Sequence, residues 1–215
     1  MALGAPIELF AAFTIQLFVV VDPLLGVPIF LAITPHRTFS ERMRMARRGC
    51  LVAFLVLIFF LLAGPPVFGY FGIGTAAVRI CGGILLFVIA LEMLYGRMTG
   101  TGTSPREERL AGEKEDISIT PLAIPLLAGP GAIATTLLFA GRAATPVDYL
   151  GLLAGTALVF VVTYLFLRRA ELVLRVIGNL GMTILTRIMG LILAFLSVQY
   201  VLDGLQAVFF AGGGA

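Results

Sequence analysis

The chain has 215 residues, of which 60% are hydrophobic and only 13% are charged. A water-soluble domain of this length needs far less apolar sequence to fill one core, so this composition excludes an ordinary soluble globule and favours a membrane protein. The formal net charge of +3 comes from arginines that cluster in a few polar segments, so it gives no indication of a nucleic-acid partner.

Long uncharged segments predict six membrane-spanning helices. Residues 49–78 and 117–141 carry no charge over 30 and 25 positions, and about 20 helical residues cross a hydrocarbon core. Helices are required because lipid cannot satisfy backbone amides, and the alternating pattern of barrel strands is absent. We expect spans at about 8–34, 49–72, 76–95, 117–140, 147–167 and 184–208.

The basic residues predict how these spans are oriented. The first, third and fifth predicted loops hold 12 of the 15 Lys and Arg residues. Such residues concentrate in cytoplasmic loops, and acidic residues hardly affect this rule. We therefore expect these three loops to face the cytoplasm, both termini to be extracytoplasmic, and the membrane to be the cytoplasmic (inner) membrane.

A polar linker at 97–116 divides the chain near its midpoint, which predicts a first three-helix repeat at 1–96 and a second at 117–215. The segment Arg79-Ile-Cys-Gly-Gly-Ile-Leu-Leu-Phe matches Arg187-Ile-Met-Gly-Leu-Ile-Leu-Ala-Phe at an offset of 108 residues. Because each repeat has an odd number of spans, the second must enter the membrane from the opposite side. The sequence therefore predicts an all-α membrane protein of two inverted repeats, with chance similarity between apolar helices as the alternative.

Helix-breaking residues lie near the middle of the first and fourth spans. The first span has Asp22-Pro23 followed by Gly26, and the fourth has Gly-Pro-Gly at 129–131. Proline removes an amide donor and clashes with the preceding turn. Asp before Pro is typical of an N-cap followed by the first residue of a helix. We therefore expect both spans to be broken at mid-membrane, with a new half-helix starting after each break.

Two half-helix N-termini that face each other would suit a small anion, because their amides are unpaired and their dipoles are positive. Carbonyls freed before each break would suit an ammonium group or a cation, so an amino acid zwitterion would use both ends. The alternative is that the prolines only kink packed helices. The predicted substrate-binding residues are Asp22, Pro23, Gly26, Ala128, Gly129, Pro130, Gly131 and Thr135.

Four charged residues lie inside or at the edges of the predicted spans: Asp22, Arg79, Glu92 and Arg187. Intramembrane charges are costly and usually face a cavity or a partner. Asp22 has three candidate roles: a cap for its half-helix, a ligand for a substrate ammonium group, or a carrier of a coupling proton. Glu92 is either a snorkelling acid or a proton carrier, and the two arginines suit packing or lipid headgroup contact.

At these motifs the sequence resembles the MarC family, also called UPF0056, of six-span inner-membrane proteins. The resemblance rests on VVVDPLLGVPIFLAIT, ICGGILLFVIALEML, ITPLAIPLLAGPGAIATT and RIMGLILAFLSVQYV, and it implies relatedness to transporters of small neutral amino acids such as glycine and alanine. The chain departs from the family where Leu25-Gly26-Val27 replaces Gly-Asn-Ile. This change removes a side-chain amide but leaves a backbone-based site intact.

These observations favour a secondary transporter of a small neutral amino acid, with the direction of transport and the coupling ion, proton or sodium, left open. No nucleophile, metal cage or ATP-binding loop is recognisable, so we expect no enzymatic activity, metal or cofactor. A non-transporting membrane subunit of a stress or envelope assembly is the alternative function. Besides the solute, the expected partner is membrane lipid, and no nucleic acid is expected.

Overall fold

The structure is a computed structural model that describes residues 4–35, 37–96 and 118–209, and almost all of these residues are helical. The predicted linker at 97–116 and His36 lie outside the described residues. The helices of the described parts are α1 (Gly4–Val21), α2 (Pro23–Ile33), α3 (Phe39–Tyr70), α4 (Thr75–Tyr95), α5 (Ser118–Leu127), α6 (Pro130–Ala140), α7 (Pro146–Arg168) and α8 (Ala170–Phe209).

Five helical segments of the described chain are long and apolar enough to cross a membrane. One is Pro6–Ile33, which contains α1 and α2, and the others are α3, α4, α7 and α8. The expectation of an all-helical membrane protein is thus confirmed. The predicted fourth span is divided, as expected, into α5 and α6, of 10 and 11 residues, and neither is long enough alone to cross a membrane, so the count of six spans and the inverted repeat stay predictions.

The prediction of a loop between the fifth and sixth spans is wrong, because this segment is helical. Only Arg169 separates α7 from α8, and α8 continues for 40 residues. Its direction changes at Gly178, which has a φ of 71°. A glycine adopts this left-handed conformation without the steric cost that a Cβ would add. The last span therefore begins well before the predicted residue 184.

The two short helices α2 and α6 lie inside the bundle, and the long helices surround them. Almost every side chain of α6 from Gly131 to Ala140 is buried. The long helices, by contrast, present large apolar side chains on their outer faces, such as Phe59 at 63% and Phe195 at 69% exposure. Such surfaces suit lipid rather than water. The α2 and α6 helices are therefore largely enclosed by protein, although Pro130 at the start of α6 is exposed.

Glycines bring α4 and α8 into backbone contact. A Cβ placed on Gly190 would lie 2.7 Å from the Met93 Cβ and 3.1 Å from the Ala90 carbonyl oxygen. Gly204 similarly faces the Ala76 carbonyl oxygen, at 3.1 Å from such a Cβ. Small residues at helix crossings are how helices associate in lipid, where burial of apolar surface gives no driving force. This tight crossing holds the ends of the two predicted repeats together.

Ionic contacts mark the two ends of the bundle. At one end, Arg42 at the start of α3 forms a 2.7 Å salt bridge with Glu171 at the start of α8. At the other end, Arg142 lies 4.0 Å from Asp203 near the end of α8. The first and the fifth predicted loops, which are both rich in arginine, therefore meet at the same end of the molecule.

We predict that Gly190→Ala destabilises the protein by about 1–3 kcal/mol, the usual cost of overpacking a rigid contact. The neighbouring atoms are a Cβ and a backbone carbonyl, which cannot move aside as a side-chain end can. Thermal unfolding in detergent measures the effect. Gly69→Ala is the matched control, because a Cβ there meets nothing within 4 Å. A Gly190→Ala protein as stable as this control would contradict the prediction.

Candidate functional site in a cavity between two broken helices

The break between α1 and α2 is made by Asp22. This residue has φ 42° and ψ 71°, in the left-handed region that Asn and Asp tolerate better than other side chains. Its Oδ1 accepts a hydrogen bond of 3.1 Å from the Leu25 amide, and Pro23 follows as the first residue of α2. One carboxylate oxygen thus caps the new helix, as expected for Asp before Pro.

The break between α5 and α6 has a different construction. The α5 segment includes Pro121 and Pro125, which cannot donate amide hydrogen bonds. It is wound as a wider π-helix, and the Ala128 amide donates to the Ala123 carbonyl oxygen at 2.8 Å. Gly129 is the N-cap of α6, and no side chain caps this helix. The first amides of α6 therefore lack the side-chain acceptor that α2 has.

One cavity of about 160 Å³ joins the two breaks. Its wall includes Asp22 and Gly26 from the first break and residues 129–131 from the second break. It extends along α4 past Glu92 to Gly96, where that helix ends. Residues that are 107 positions apart in sequence thus meet around one small space.

The predicted site residues divide into two groups. The cavity wall contains Asp22, Gly26, Glu92, Gly129, Pro130 and Gly131. The remaining predicted residues lie away from this wall: Pro23, Ala128 and Thr135 are packed behind it, Arg79 lines a separate cavity, and Arg187 is exposed on α8. Of the four predicted charged residues, Asp22 and Glu92 therefore line this cavity, and neither predicted arginine does.

Thr186 also lines the cavity, and sequence reasoning missed it. It lies on the buried face of α8, where the buried residues follow a spacing of three and four: Met182, Thr186, Gly190, Leu193, Ser197, Tyr200 and Gly204. This helical periodicity could have identified Thr186 from the sequence, since it places Thr186 on the same inward face as Gly190 of the repeat motif.

Two polar atoms at the cavity have no hydrogen-bond partner among the described residues. These are Asp22 Oδ2 and Thr186 Oγ1, and each residue is 5% exposed. Buried polar groups are normally paired, because an unpaired one costs about 1–3 kcal/mol. Both residues line the cavity, and the Thr186 hydroxyl lies near enough to the Asp22 carboxylate to interact with it.

The two helix N-termini are not equivalent, which corrects the expectation that both present free amides. In α2 the Asp22 carboxylate already accepts from the Leu25 amide. In α6 the N-cap is Gly129, which has no side chain to accept from the first amides. The cavity consequently has a carboxylate on one wall and an uncapped, positive helix end on another. This arrangement matches the charge separation of a zwitterion.

A polar cluster lies beyond the cavity, towards the end of the bundle that holds Arg142. One turn of α1 before Val20, the side chain of Gln16 accepts a hydrogen bond from the Tyr200 hydroxyl. The Arg142 guanidinium lies 5.0 Å from the centre of the Tyr200 ring and 5.2 Å from that of Phe139. These contacts join α1, α6 and α8 and close the bundle on this side.

Comparison with known proteins identifies close relatives of this sequence. The family model described as MarC family integral membrane protein matches residues 7–209. The UPF0056 membrane protein of Buchnera aphidicola subsp. Schizaphis graminum is 35% identical over 95% of this chain and 95% of its own. UPF0056 membrane protein YvbG of Bacillus subtilis is 37% identical over 91% and 93% of the two chains, and UPF0056 membrane protein YhcE of Escherichia coli is 32% identical over 92% of each. No solved structure matches the chain.

We predict that three substitutions at Asp22 separate its capping role from its backbone role. Asn can accept from the Leu25 amide and tolerates left-handed backbone, Gly tolerates the backbone but offers no acceptor, and Ala provides neither. Asp22→Ala should therefore lose about 2 kcal/mol of stability, with Asp22→Gly intermediate and Asp22→Asn closest to wild type. Thermal unfolding in detergent tests this order, and it is wrong if the Ala and Asn proteins unfold together.

Proposed function

Because the chain belongs to the MarC family of integral membrane proteins, we propose that it is a secondary transporter of small neutral amino acids such as glycine or alanine. The names of its relatives state a membrane protein and no substrate. The substrate class is therefore argued from the cavity alone. The proposal assigns no catalytic step to the chain.

The observation that carries the proposal is the meeting of both helix breaks at one cavity. An uncapped helix N-terminus binds a carboxylate through its amides and its positive dipole. The amides that follow Gly129 have this character, and the backbone at Gly131 lines the cavity. Broken helices around a central site are typical of secondary transporters, because irregular backbone inside a membrane protein is tolerated where it lines a cavity.

The size of the cavity favours a small solute. An apolar cavity of about 150 Å³ holds benzene, a molecule of about six non-hydrogen atoms, and alanine has as many. The cavity between the two breaks has a volume of about 160 Å³. A Cβ on Gly26 would meet nothing within 4 Å, so the absence of a side chain at this position keeps part of this space open.

Helix capping supports the proposed inverted repeat. The α3 helix begins with a capping box of Thr38 and Glu41, and α7 begins with one of Thr145 and Asp148. Both pairs are 107 residues apart, the same offset that relates Pro23 to Pro130. Chance similarity of apolar sequence does not produce this correspondence, because the residues are polar and make specific hydrogen bonds.

Helix packing supports the same proposal. If α1 to α4 correspond to α5 to α8, then the contact of α1 with α7 corresponds to that of α5 with α3, and both are extensive. Likewise, α2 packs on α8 as α6 packs on α4. Both α5 and α6 pack along α3 rather than on each other, as expected of two parts of one span. We therefore propose six spans in two inverted repeats.

We predict that both termini are extracytoplasmic, because six spans place them on one side and the arginine-rich segments favour a cytoplasmic location for the other side. A periplasm-active reporter fused to each end tests this topology. Five spans would place the termini on opposite sides. Reporter activity at only one terminus would therefore contradict both the count of six spans and the inverted repeat.

We predict that Gly26→Leu abolishes flux of labelled glycine and alanine in proteoliposomes, because the new side chain fills the cavity from a position without steric conflict. Gly131→Leu is a poorer test, since a Cβ there would overlap Ile89 and Val20 and disturb the packing of α6.

The matched control for this experiment is Gly69→Leu, which adds the same side chain at an exposed helical position away from this cavity. Thermal unfolding of both variants shows whether they stay folded. Normal flux through a folded Gly26→Leu protein would disprove the proposed site. Absence of flux in the wild-type protein would favour the alternative of a non-transporting membrane subunit.

A further inference from the structure

We propose that Asp22 and Thr186 form a subsite for a cationic group, the ammonium group of the transported amino acid. This inference rests on the proposed function and assigns a role to Thr186. Two side chains, one on α8 and one at the α1–α2 break, line the same cavity, and each has one oxygen without a hydrogen-bond partner among the described residues. An ammonium group has three donors and no acceptor, so it matches a pair of oxygens.

Other buried hydroxyls show why Thr186 is unusual. In a helix, a Thr or Ser hydroxyl commonly donates to the carbonyl oxygen four residues earlier. Five buried hydroxyls of this chain do so: Thr34, Thr136, Thr156, Thr163 and Ser197. Among the described residues, Thr135 and Thr186 are the buried hydroxyls without such a bond, and of these two only Thr186 lines the cavity. Its hydroxyl is therefore not used by its own helix, and it lies beside the Asp22 carboxylate.

The surroundings of these two atoms also favour positive charge. Because Asp22 Oδ1 is engaged by the Leu25 amide, the carboxylate is held in place while Oδ2 stays unpaired. The α1 helix ends at Val21 on the cavity wall, and the last carbonyls of a helix have no partner within it and form its negative end. Glu92 adds a second carboxylate to the wall.

The same oxygens would also suit a small metal cation such as Na⁺, which binds carboxylate, hydroxyl and carbonyl oxygens at helix breaks in transporters. The shared chemistry is a monovalent cationic group with oxygen partners. An amino acid and its analogue without the amino group distinguish the two sources, because only the first carries an ammonium group.

The test measures ligand-induced stabilisation of the purified full-length protein, since a ligand that binds the folded state raises its unfolding temperature. The probes are alanine, propionate, and sodium chloride against choline chloride without amino acid. The variants are Thr186→Val, which removes the hydroxyl at nearly constant shape, and Thr186→Ser, which keeps it. Thr156→Val is the matched control, because Thr156 is buried but its hydroxyl bonds to its own helix.

We expect alanine but not propionate to stabilise the wild-type protein. The Thr186→Val substitution should weaken alanine binding by about tenfold or more, the loss for one hydrogen bond to a charged group. Thr186→Ser and Thr156→Val should bind alanine as the wild type does. If sodium alone stabilises the wild type and Thr186→Val loses this response, the cationic group is the metal ion.

Two results overturn the inference in distinguishable ways. If the wild type responds to alanine and Thr186→Val responds equally to alanine and to sodium, the subsite is disproved while the proposed transport function stands. If the wild type responds to neither alanine nor sodium and shows no alanine flux, the proposed function fails and the subsite fails with it.

Discussion

Backbone hydrogen bonding in a lipid solvent is the constraint on which this structure depends. A helix that crosses a membrane satisfies its own amides and carbonyls, and any interruption leaves some of them without partners. The chain interrupts two helices, at Asp22 and at 128–129. The long helices α3, α4, α7 and α8, whose outer faces are apolar, pack around both interruptions, which bury Asp22 and leave Gly129 half-buried. The unpaired groups are thereby kept from lipid and concentrated around one cavity.

The two interruptions have different N-cap residues, and this difference gives the cavity its polarity. Asp22 supplies its own carboxylate to the amides of α2, so that end of the cavity retains a negative group with one free oxygen. Gly129 has no side chain and supplies no acceptor to α6. A symmetric pair of glycines would have produced two positive helix ends, and a symmetric pair of aspartates two capped ones. The observed combination places a carboxylate and a positive helix end at the same cavity.

The sequence predicted the features that depend on local chemistry. Asp22-Pro23 and Gly129-Pro130-Gly131 identified both breaks, because proline and glycine act within one helical turn. Features that depend on neighbouring helices could not be obtained in this way. The packing of α8 on the cavity decides that the Thr186 hydroxyl faces inward while Arg187 is exposed. The helical course of 170–183 was missed because Arg168, Arg169 and Arg175 suggested a loop.

The position of the polar cluster at Gln16 and Tyr200 adds a requirement for transport. The cavity extends to Gly96, at the end of α4, while on the opposite side α1, α6 and α8 are joined by Gln16, Tyr200 and Arg142. A solute that crosses the membrane through this cavity would need these contacts to separate. Hydrogen bonds between membrane helices contribute only about 0.6 kcal/mol on average, so such a closure is weak enough to open. By contrast, the glycine contacts between α4 and α8 involve backbone atoms and cannot part without separating whole helices. If the chain transports a solute as proposed, the side-chain contacts near α1 and α6 can therefore separate more easily than the crossing of α4 and α8.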